Sequence, residues 1–527
     1  MTKVLVLDGV AEQGVAVLRE AGFTVDVKGT PGKEELISLI GDYDAMIVRS
    51  QTKVTADVIA AGSKLKVIGR AGVGVDNIDV NAATQRGIIV LNAPDGNTIA
   101  TAEHTVAMIL ALARNIPAAV ASLKAGKWDR KSFVGVEVKD KILGIIGLGR
   151  IGTEVARRMQ AMGMTILGYD PLLTEEQAEK LGIRQATVDE IVTEADFITV
   201  HTPLNPETKG LLNAERIAKM KKGVRLINCA RGGIIDESAL VKAIKSGHVA
   251  GAALDVYSEE PPQNRELIEL PQVVCTPHLG ASTEEAQVNV AVDVAVEMVK
   301  ALRGEPFKNA VNIPSVRPEV LAVLKPYLPL AEKMGALVGQ LTTGGRIARL
   351  EISYLGEIAS YDLAPLTLSL LTGFLRPILA DEVNMVNAPV LAKERGLKVV
   401  ENKAAAPEAY TSLIRVKVET DRGTRTVAGA LFRRNEERIV EIDGYYFDVV
   451  PTGFMIVAPH VDKPGIIGKV GTILGNAGIN IAFMQVGRKT PGGRAIMVLS
   501  VDNPVPPGIL AEVGKVDGIE EAKMVSL

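Results

Sequence analysis

Residues 141–170 read Lys-Ile-Leu-Gly-Ile-Ile-Gly-Leu-Gly-Arg-Ile-Gly-Thr-Glu-Val-Ala-Arg-Arg-Met-Gln-Ala-Met-Gly-Met-Thr-Ile-Leu-Gly-Tyr-Asp. An apolar run, Ile142 to Ile146, leads into Gly147-Leu148-Gly149-Arg150-Ile151-Gly152, then a helical pattern, then a second strand-like run closed by Asp170. That order makes one βαβ unit. A bare G-x-G-x-x-G carries little weight in a chain with 51 glycines, but a strand before it, a helix after it and a terminal acid make it a dinucleotide signature. Gly147 and Gly149 would let the backbone approach a pyrophosphate favoured by the helix N-terminus, and Gly152 would let helix and strand pack closely. Asp170, 18 residues after Gly152, would accept hydrogen bonds from the ribose of NAD and repel a 2′-phosphate. The plain alternative is a tight strand-to-helix turn without a ligand.

At 527 residues the chain is too long for one core and suggests roughly three or four domains, which its 47% apolar residues can fill. A net charge of −3 gives no general attraction to nucleic acid or anionic membrane, and neither is expected as a partner. Cys229 and Cys275 are the only cysteines, which argues against a disulfide framework and for a reducing compartment. The five histidines show no metal-ligand spacing, so no metal is expected. The N-terminus lacks the pattern of a signal peptide and reads as a first strand; the longest apolar runs fall short of the roughly 20 residues of a membrane span. The expectation is a soluble cytoplasmic protein.

Short β-branched runs at 3–7, 43–48, 65–69 and 87–91 alternate with helical patterns and predict a parallel sheet covered by helices. Residues 69–79 imitate a nucleotide loop but carry Asn77 where a third glycine would fall; they read as a loop offering N–H groups and Arg70 to a small anion. Arg49 and Lys53 follow a neighbouring strand and suit a carboxylate or phosphate, although ordinary surface basicity would also place Lys53 there. Asn97 opens a long helix, 99–115, that crosses to the second unit, and Trp128 reads as a packing anchor. Four more strand-like runs, 196–203, 223–231, 249–255 and 272–278, end in polar residues and make an active-site edge. A helix over 282–302, with Val288, Ala291, Val292, Ala295 and Val299 on one stripe, would return the chain to the first unit.

Residues 304–314 read as a linker. Beyond it, a helical start at 319–341 and alternating segments at 349–354 and 412–418 argue an α+β domain. From 453 the order is β-α-β-β-α-β, a ferredoxin-like fold.

Three groups at the strand ends carry chemistry: Arg231 in Asn-Cys-Ala-Arg-Gly-Gly233, Glu260 in Ser-Glu-Glu-Pro-Pro262, and His278. Oxidising a hydroxyl needs a base while hydride leaves the same carbon, and histidine titrates near ambient pH. A carboxylate on its other ring nitrogen would fix the tautomer, and Glu260 is that candidate. An arginine would hold an α-carboxylate in two parallel bonds. His104 and His201 read as structural, His201 lining the cofactor edge.

The segments Gly-Leu-Gly-Arg-Ile-Gly152, Asn-Cys-Ala-Arg-Gly-Gly233, Ala-Leu-Asp-Val-Tyr-Ser-Glu-Glu-Pro-Pro262 and Pro-His-Leu-Gly-Ala-Ser-Thr283 resemble signatures of the D-isomer-specific 2-hydroxyacid dehydrogenases, in particular the long-form D-3-phosphoglycerate dehydrogenases, and the resemblance runs over essentially the whole chain. It implies an α/β architecture: a Rossmann-type NAD domain (99–282) inserted in a flavodoxin-like substrate domain (1–98 and 283–315), an α+β intervening regulatory domain (316–452) and a ferredoxin-like ACT domain (453–527). It implies Arg231, Glu260 and His278 as the catalytic trio. NAD contacts would fall at Gly147, Gly149, Arg150, Ile151, Gly152, Asp170, Thr202, Cys229, Asp255 and Gly280. Arg49, Lys53, Arg70 and Asn97 would hold 3-phosphoglycerate, and His460, Asp462 and Asn480 would bind serine as an effector. A homotetramer making 3-phosphohydroxypyruvate, the first step of serine biosynthesis, follows from the same resemblance. Two other readings stay open: a different D-2-hydroxyacid dehydrogenase, with 2-oxoglutarate reduction as a side activity, and a non-enzymatic NAD-sensing regulator.

Overall fold

The computed structural model describes residues 1–314, 316–342, 344–379, 382–405, 410–433 and 435–527. Strands β1 (Lys3–Val6), β2 (Thr24–Val27), β3 (Ala45–Val48), β4 (Val67–Arg70) and β5 (Ile89–Leu91) form a parallel sheet in the order β2-β1-β3-β4-β5. Helices cover both faces, so β3 is buried along its whole length and reads as an apolar run. The edge strand β2, Thr-Val-Asp-Val, is half exposed and gives no such signal. This is the flavodoxin-like strand order, and the C-terminal ends of β3 and β4 deliver Arg49 and Arg70.

The second sheet holds β6 (Ile142–Ile146), β7 (Thr165–Tyr169), β8 (Arg184–Gln185), β9 (Phe197–Val200), β10 (Val224–Asn228), β11 (Val249–Leu254) and β12 (Val273–Cys275), all parallel, in the order β12-β11-β10-β9-β6-β7-β8. The winding reverses between β6 and β9, which opens a crevice at their C-terminal ends. That is the Rossmann arrangement.

Two helices join the sheets. Thr98–Ala113 buries Ala102, Met108, Ile109 and Leu112 against the second core. Glu284–Arg303 returns and packs on the first. Of the expected stripe, Ala291, Ala295 and Val299 are buried, but Val288 and Val292 are only half covered, and Val290, Val294 and Met298 take the core. The cause lies in the partner: a Cβ on Gly14 would stand 2.6 Å from the Ala291 carbonyl oxygen, and one on Gly69 would stand 2.8 Å from Val294 Cγ2. Those two glycines select the docked face. The expected linker is pinned rather than free, with Asn92 N donating to Asn309 O (3.1 Å) and Val311 N to Val90 O (2.8 Å). The domain limit expected at 315 falls on a residue outside those described.

The third sheet comprises β13 (Ile347–Gly356), β14 (Lys398–Ala404), β15 (Ser412–Thr420), β16 (Gly423–Phe432), β17 (Glu436–Ile442) and β18 (Tyr445–Val449), in the order β14-β13-β15-β16-β17-β18. The helix expected over 319–341 is two, Pro318–Leu324 and Tyr327–Leu341, because Pro326 lacks the N–H a continuous helix needs. The fourth sheet has β19 (Phe454–Val461), β20 (Ile481–Arg488), β21 (Arg494–Val501) and β22 (Lys523–Ser526), ordered β20-β21-β19-β22, a ferredoxin-like arrangement. One face packs under its own helices through Ile456, Val470 and Leu499. The other face, Met455, Val457, Ile496, Val498 and Val525, shares a core with Leu330, Met334 and Leu337 of the preceding unit.

Trp128 anchors nothing in its own chain: it is 81% exposed, beside a helix, Ile116–Lys124, that buries no residue. No single helix among the described residues is long and apolar enough to cross a membrane.

Candidate active site

The glycine loop after β6 divides its duties. Gly147 stands at φ 101°, and a Cβ on Gly152 would lie 2.0 Å from the Gly147 carbonyl oxygen. The first glycine thus makes the turn and the third permits close packing. A Cβ on Gly149, at the head of the Arg150–Ala161 helix, would meet nothing within 4 Å, so the helix N-terminus is open to an anion. Asp170, after β7, accepts from Leu148 N (3.0 Å) and Leu172 N (2.9 Å), which ties it to the loop and leaves lone pairs for ribose hydroxyls. Beyond β9, Thr202 Oγ1 and His201 Nδ1 are buried without a partner. Such orphans cost about 1–3 kcal/mol each, and at the switch point they suit a polar ligand such as a dinucleotide. Burial pushes His201 down to about 4, so its ring is neutral. Burial pushes the Cys229 thiol at the end of β10 up to about 12, with the Asp255 charge adding, which makes it an uncharged wall. Ile151 packs on the sheet core, and Arg150 pairs with Asp95.

A cleft of about 750 Å³ lies between the two sheets and takes in Arg49, Lys53, Arg70, Glu260 and His278. Asp8 holds its floor, accepting from Arg49 N (2.9 Å), Thr52 N (3.0 Å) and Thr52 Oγ1 (2.6 Å). Asn77 Nδ2 donates to Arg49 O (2.8 Å) and Thr52 O (2.7 Å), so the position where a third glycine was missing is a clamp. Neither support could be named from sequence, because each acts on a loop about 25 to 44 residues away. Burial, with repulsion from Arg231 and Arg49, lowers the Arg70 guanidinium to about 10. Its Nε is buried and unpartnered, as is Asn97 Oδ1 at the head of the Thr98–Ala113 helix. Three mutually repelling arginines call for an anion. Gly72 and Gly74 roof them: a Cβ there would fall 1.6 Å from Arg70 Nη1 and 2.1 Å from Arg231 Nη2.

His278 Nδ1 lies 2.7 Å from Glu260 Oε2, and Glu260 Oε1 accepts from Tyr257 N (3.2 Å). The Glu260 hydrogen bond holds the His278 imidazole above its ordinary pKa; burial opposes, the Glu260 and Asp255 charges add, and Arg231 subtracts. Burial raises the Glu260 carboxyl, but the bond and charge of His278 outweigh it and leave it below its usual range. Nε2 is left available. Arg231 follows β10, its turn fixed by Asn228 Nδ2 donating to Arg231 O (2.8 Å), and its Nε lies 3.2 Å from Asp76 Oδ2. Asp255 is buried and accepts from Thr276 Oγ1 (2.6 Å), Leu279 N (2.7 Å) and Gly280 N (2.8 Å). Asp255 and Gly280, both expected at the cofactor, are bonded to each other.

In the tail, His460 is 2% exposed with Nδ1 3.1 Å from Ala458 O, so its ring lies inside the unit rather than at an open effector site. Arg488 Nη1, and more weakly Gly492 N, hold the Asp462 carboxyl below its usual range. Asn480 Nδ2 donates to Asp502 Oδ2 (2.8 Å) and is exposed.

Residues 106–280 match the family model of the D-isomer specific 2-hydroxyacid dehydrogenase NAD binding domain, 323–443 the D-3-phosphoglycerate dehydrogenase intervening domain, and 460–518 the ACT domain. The D-3-phosphoglycerate dehydrogenase of Synechocystis is 51% identical over 100% of this chain and 95% of its own, and that of Archaeoglobus fulgidus 48% identical over 100% of both. Among solved structures, a Staphylococcus aureus NAD-dependent formate dehydrogenase in complex with NAD aligns at TM-score 0.54 and 31% identity over 60% of this chain and 100% of its own. The pyruvate reductase of Chlamydomonas reinhardtii aligns at 0.54 and 30% over 59% of this chain and 98% of its own. The chain belongs to the D-3-phosphoglycerate dehydrogenase family, within the D-isomer-specific 2-hydroxyacid dehydrogenases.

Proposed function

We propose that the chain oxidises 3-phospho-D-glycerate to 3-phosphohydroxypyruvate with NAD, the entry step of serine biosynthesis. The observation that carries this reading is the meeting of the His278–Glu260 pair with Arg231 beside a cleft that holds Arg49, Lys53 and Arg70. His278 Nε2 takes the hydroxyl proton. Glu260, accepting from Nδ1–H, fixes that tautomer and stabilises the imidazolium that forms. Arg231, permanently charged, holds the α-carboxylate and polarises the developing carbonyl oxygen. Arg49, Lys53 and Arg70 neutralise the phosphate, and Asn97, whose Oδ1 is buried without a partner, is a fourth group for the substrate. Bound NAD supplies the hydride acceptor; Gly147, Gly149, Arg150, Gly152, Asp170 and Thr202 would hold it, with Ile151 and Cys229 as apolar walls.

Several charge-assisted bonds to phosphate, at about 1.5–3 kcal/mol each, should favour 3-phosphoglycerate over glycerate by at least about a hundredfold in kcat/KM. Comparable values for the two acids would overturn the phosphate assignment.

The domain limits that go with this reading are 1–98 with 283–315, 99–282, 316–452 and 453–527. Serine as an effector rests on Asp462 and Asn480, since His460 is buried. Titration calorimetry on the wild type and Asn480→Ala tests it; equal heats would remove Asn480 from the site. Self-association, to a tetramer in the fullest form, is supported by the bare helix Ile116–Lys124 and by Trp128 and Val134, 81% and 79% exposed. Sedimentation at the mass of one chain would reject it. Two free cysteines support a cytoplasmic setting.

A further inference from the structure

The Thr98–Ala113 helix does more than carry the chain from one sheet to the other. Asn97 heads it, and Thr101 and His104 follow at four and seven positions, on one face. That face meets the loop that carries His278: a Cβ on Gly280 would lie 3.2 Å from Asp255 Oδ2 and 3.4 Å from Thr101 Cγ2. His104 Nε2 stands 3.3 Å from both Asp255 Oδ1 and Thr276 Oγ1. Thr276 donates its one hydroxyl proton to Asp255 at 2.6 Å, so its oxygen can only accept from His104. His104 Nε2 therefore carries hydrogen and serves both oxygens.

Asp255, buried and ionised, passes this anchorage on. Its oxygens also accept the N–H groups of Leu279 (2.7 Å) and Gly280 (2.8 Å), the two residues after His278. His278 itself sits at φ 57°, in the sparsely populated left-handed region, so its turn depends on the bonds that hold the residues after it. The two N–H bonds to Asp255 fix the backbone directly after it. The carboxylate thus holds the backbone that presents the imidazole, and His104 and Thr276 hold the carboxylate.

We propose that His104 and Thr276 are positioning residues for the reaction, acting through Asp255 to keep the 278–280 loop in the turn that sets His278 Nδ1 on Glu260. The proposal rests on the reading of His278 as the base. It also ties that loop to the helix capped by Asn97, one of the groups proposed for the substrate. A purely structural hydrogen-bond cluster would lower the melting temperature and leave the turnover of the folded enzyme unchanged.

The test uses the full chain with His104→Phe and Thr276→Val, which remove the bonds, and His104→Gln and Thr276→Ser, which keep a donor. The first pair should lower kcat about tenfold, the scale of a small misplacement of a reacting group, with KM for 3-phosphoglycerate and Kd for NAD within about twofold of wild type. The second pair should recover most of the loss. Wild-type kcat in Phe and Val, or equal losses in all four, would overturn the proposal. The two sites reach Asp255 by separate bonds, so one folded member of the first pair decides. His278→Ala separates the two levels: if it turns over normally, the reading of His278 as the base fails. If it is inactive while the Phe and Val variants turn over normally, only the positioning role fails.

Discussion

If His278 is the base, as proposed, its 2.7 Å bond to Glu260 sets the pH at which it is competent. His278 must be neutral to take a proton. Its pKa is raised, chiefly by the Glu260 bond, so the acid limb of kcat/KM for oxidation should lie above the ordinary histidine value of about 6.5. In Glu260→Gln the carboxylate charge is gone while burial and Arg231 still oppose the imidazolium. The limb should therefore move to lower pH and the plateau fall about a hundredfold, as measured by a pH series of initial rates. A limb that stays in place would remove Glu260 from the pair. Both residues could be picked from sequence because open α/β sheets hold ligands beyond the C-terminal ends of their strands, and both lie in loops that follow β11 and β12. Asp8, Asn77, His104 and Thr276 could not, since what each does depends on a partner brought near only by folding.

At the scale of elements, the three glycines of the nucleotide loop share one motif yet meet different surroundings. Alanine at Gly152 would overlap the Gly147 carbonyl, whereas alanine at Gly149 would meet nothing within 4 Å. Gly152→Ala should therefore cost about 1–3 kcal/mol of stability. Gly149→Ala should melt like wild type but raise KM for NAD about tenfold, because its methyl group stands where the pyrophosphate approaches. Thermal melts with NAD titrations would show the split, and a destabilised Gly149→Ala with normal NAD affinity would reverse the assignment. The strands were legible for a related reason: β3 and β6, covered on both sides, can only be apolar runs. Helix faces were less so. The Glu284–Arg303 helix is apolar round much of its girth, and Gly14 and Gly69, far off in sequence, decide which stripe docks.

Across the whole molecule, the order of the four sheets follows the sequence, but the independence of the last two does not. Residue 453 begins a new sheet without beginning a new core, because Met455, Val457, Ile496, Val498 and Val525 pack with Leu330, Met334 and Leu337. Bonds cross the same seam: Lys523 Nζ donates to Leu341 O (2.7 Å) and Asp448 N to Gln485 Oε1 (2.9 Å). Alternation along β19 marks which residues are buried; it cannot say that one face is buried under a neighbouring domain rather than its own helices. A shared core makes unfolding of the two units cooperative, so calorimetry should find 316–527 melting in one transition. Met455→Ala, which empties part of that core, should lower the single transition by the equivalent of about 2–5 kcal/mol. The cleft residues lie on other sheets, so kcat should stay within twofold of wild type. Two transitions in the tail, with Met455→Ala moving only one, would show that the sheets are coupled by contact alone, and a signal arriving at the ACT unit would then need another route into the intervening domain.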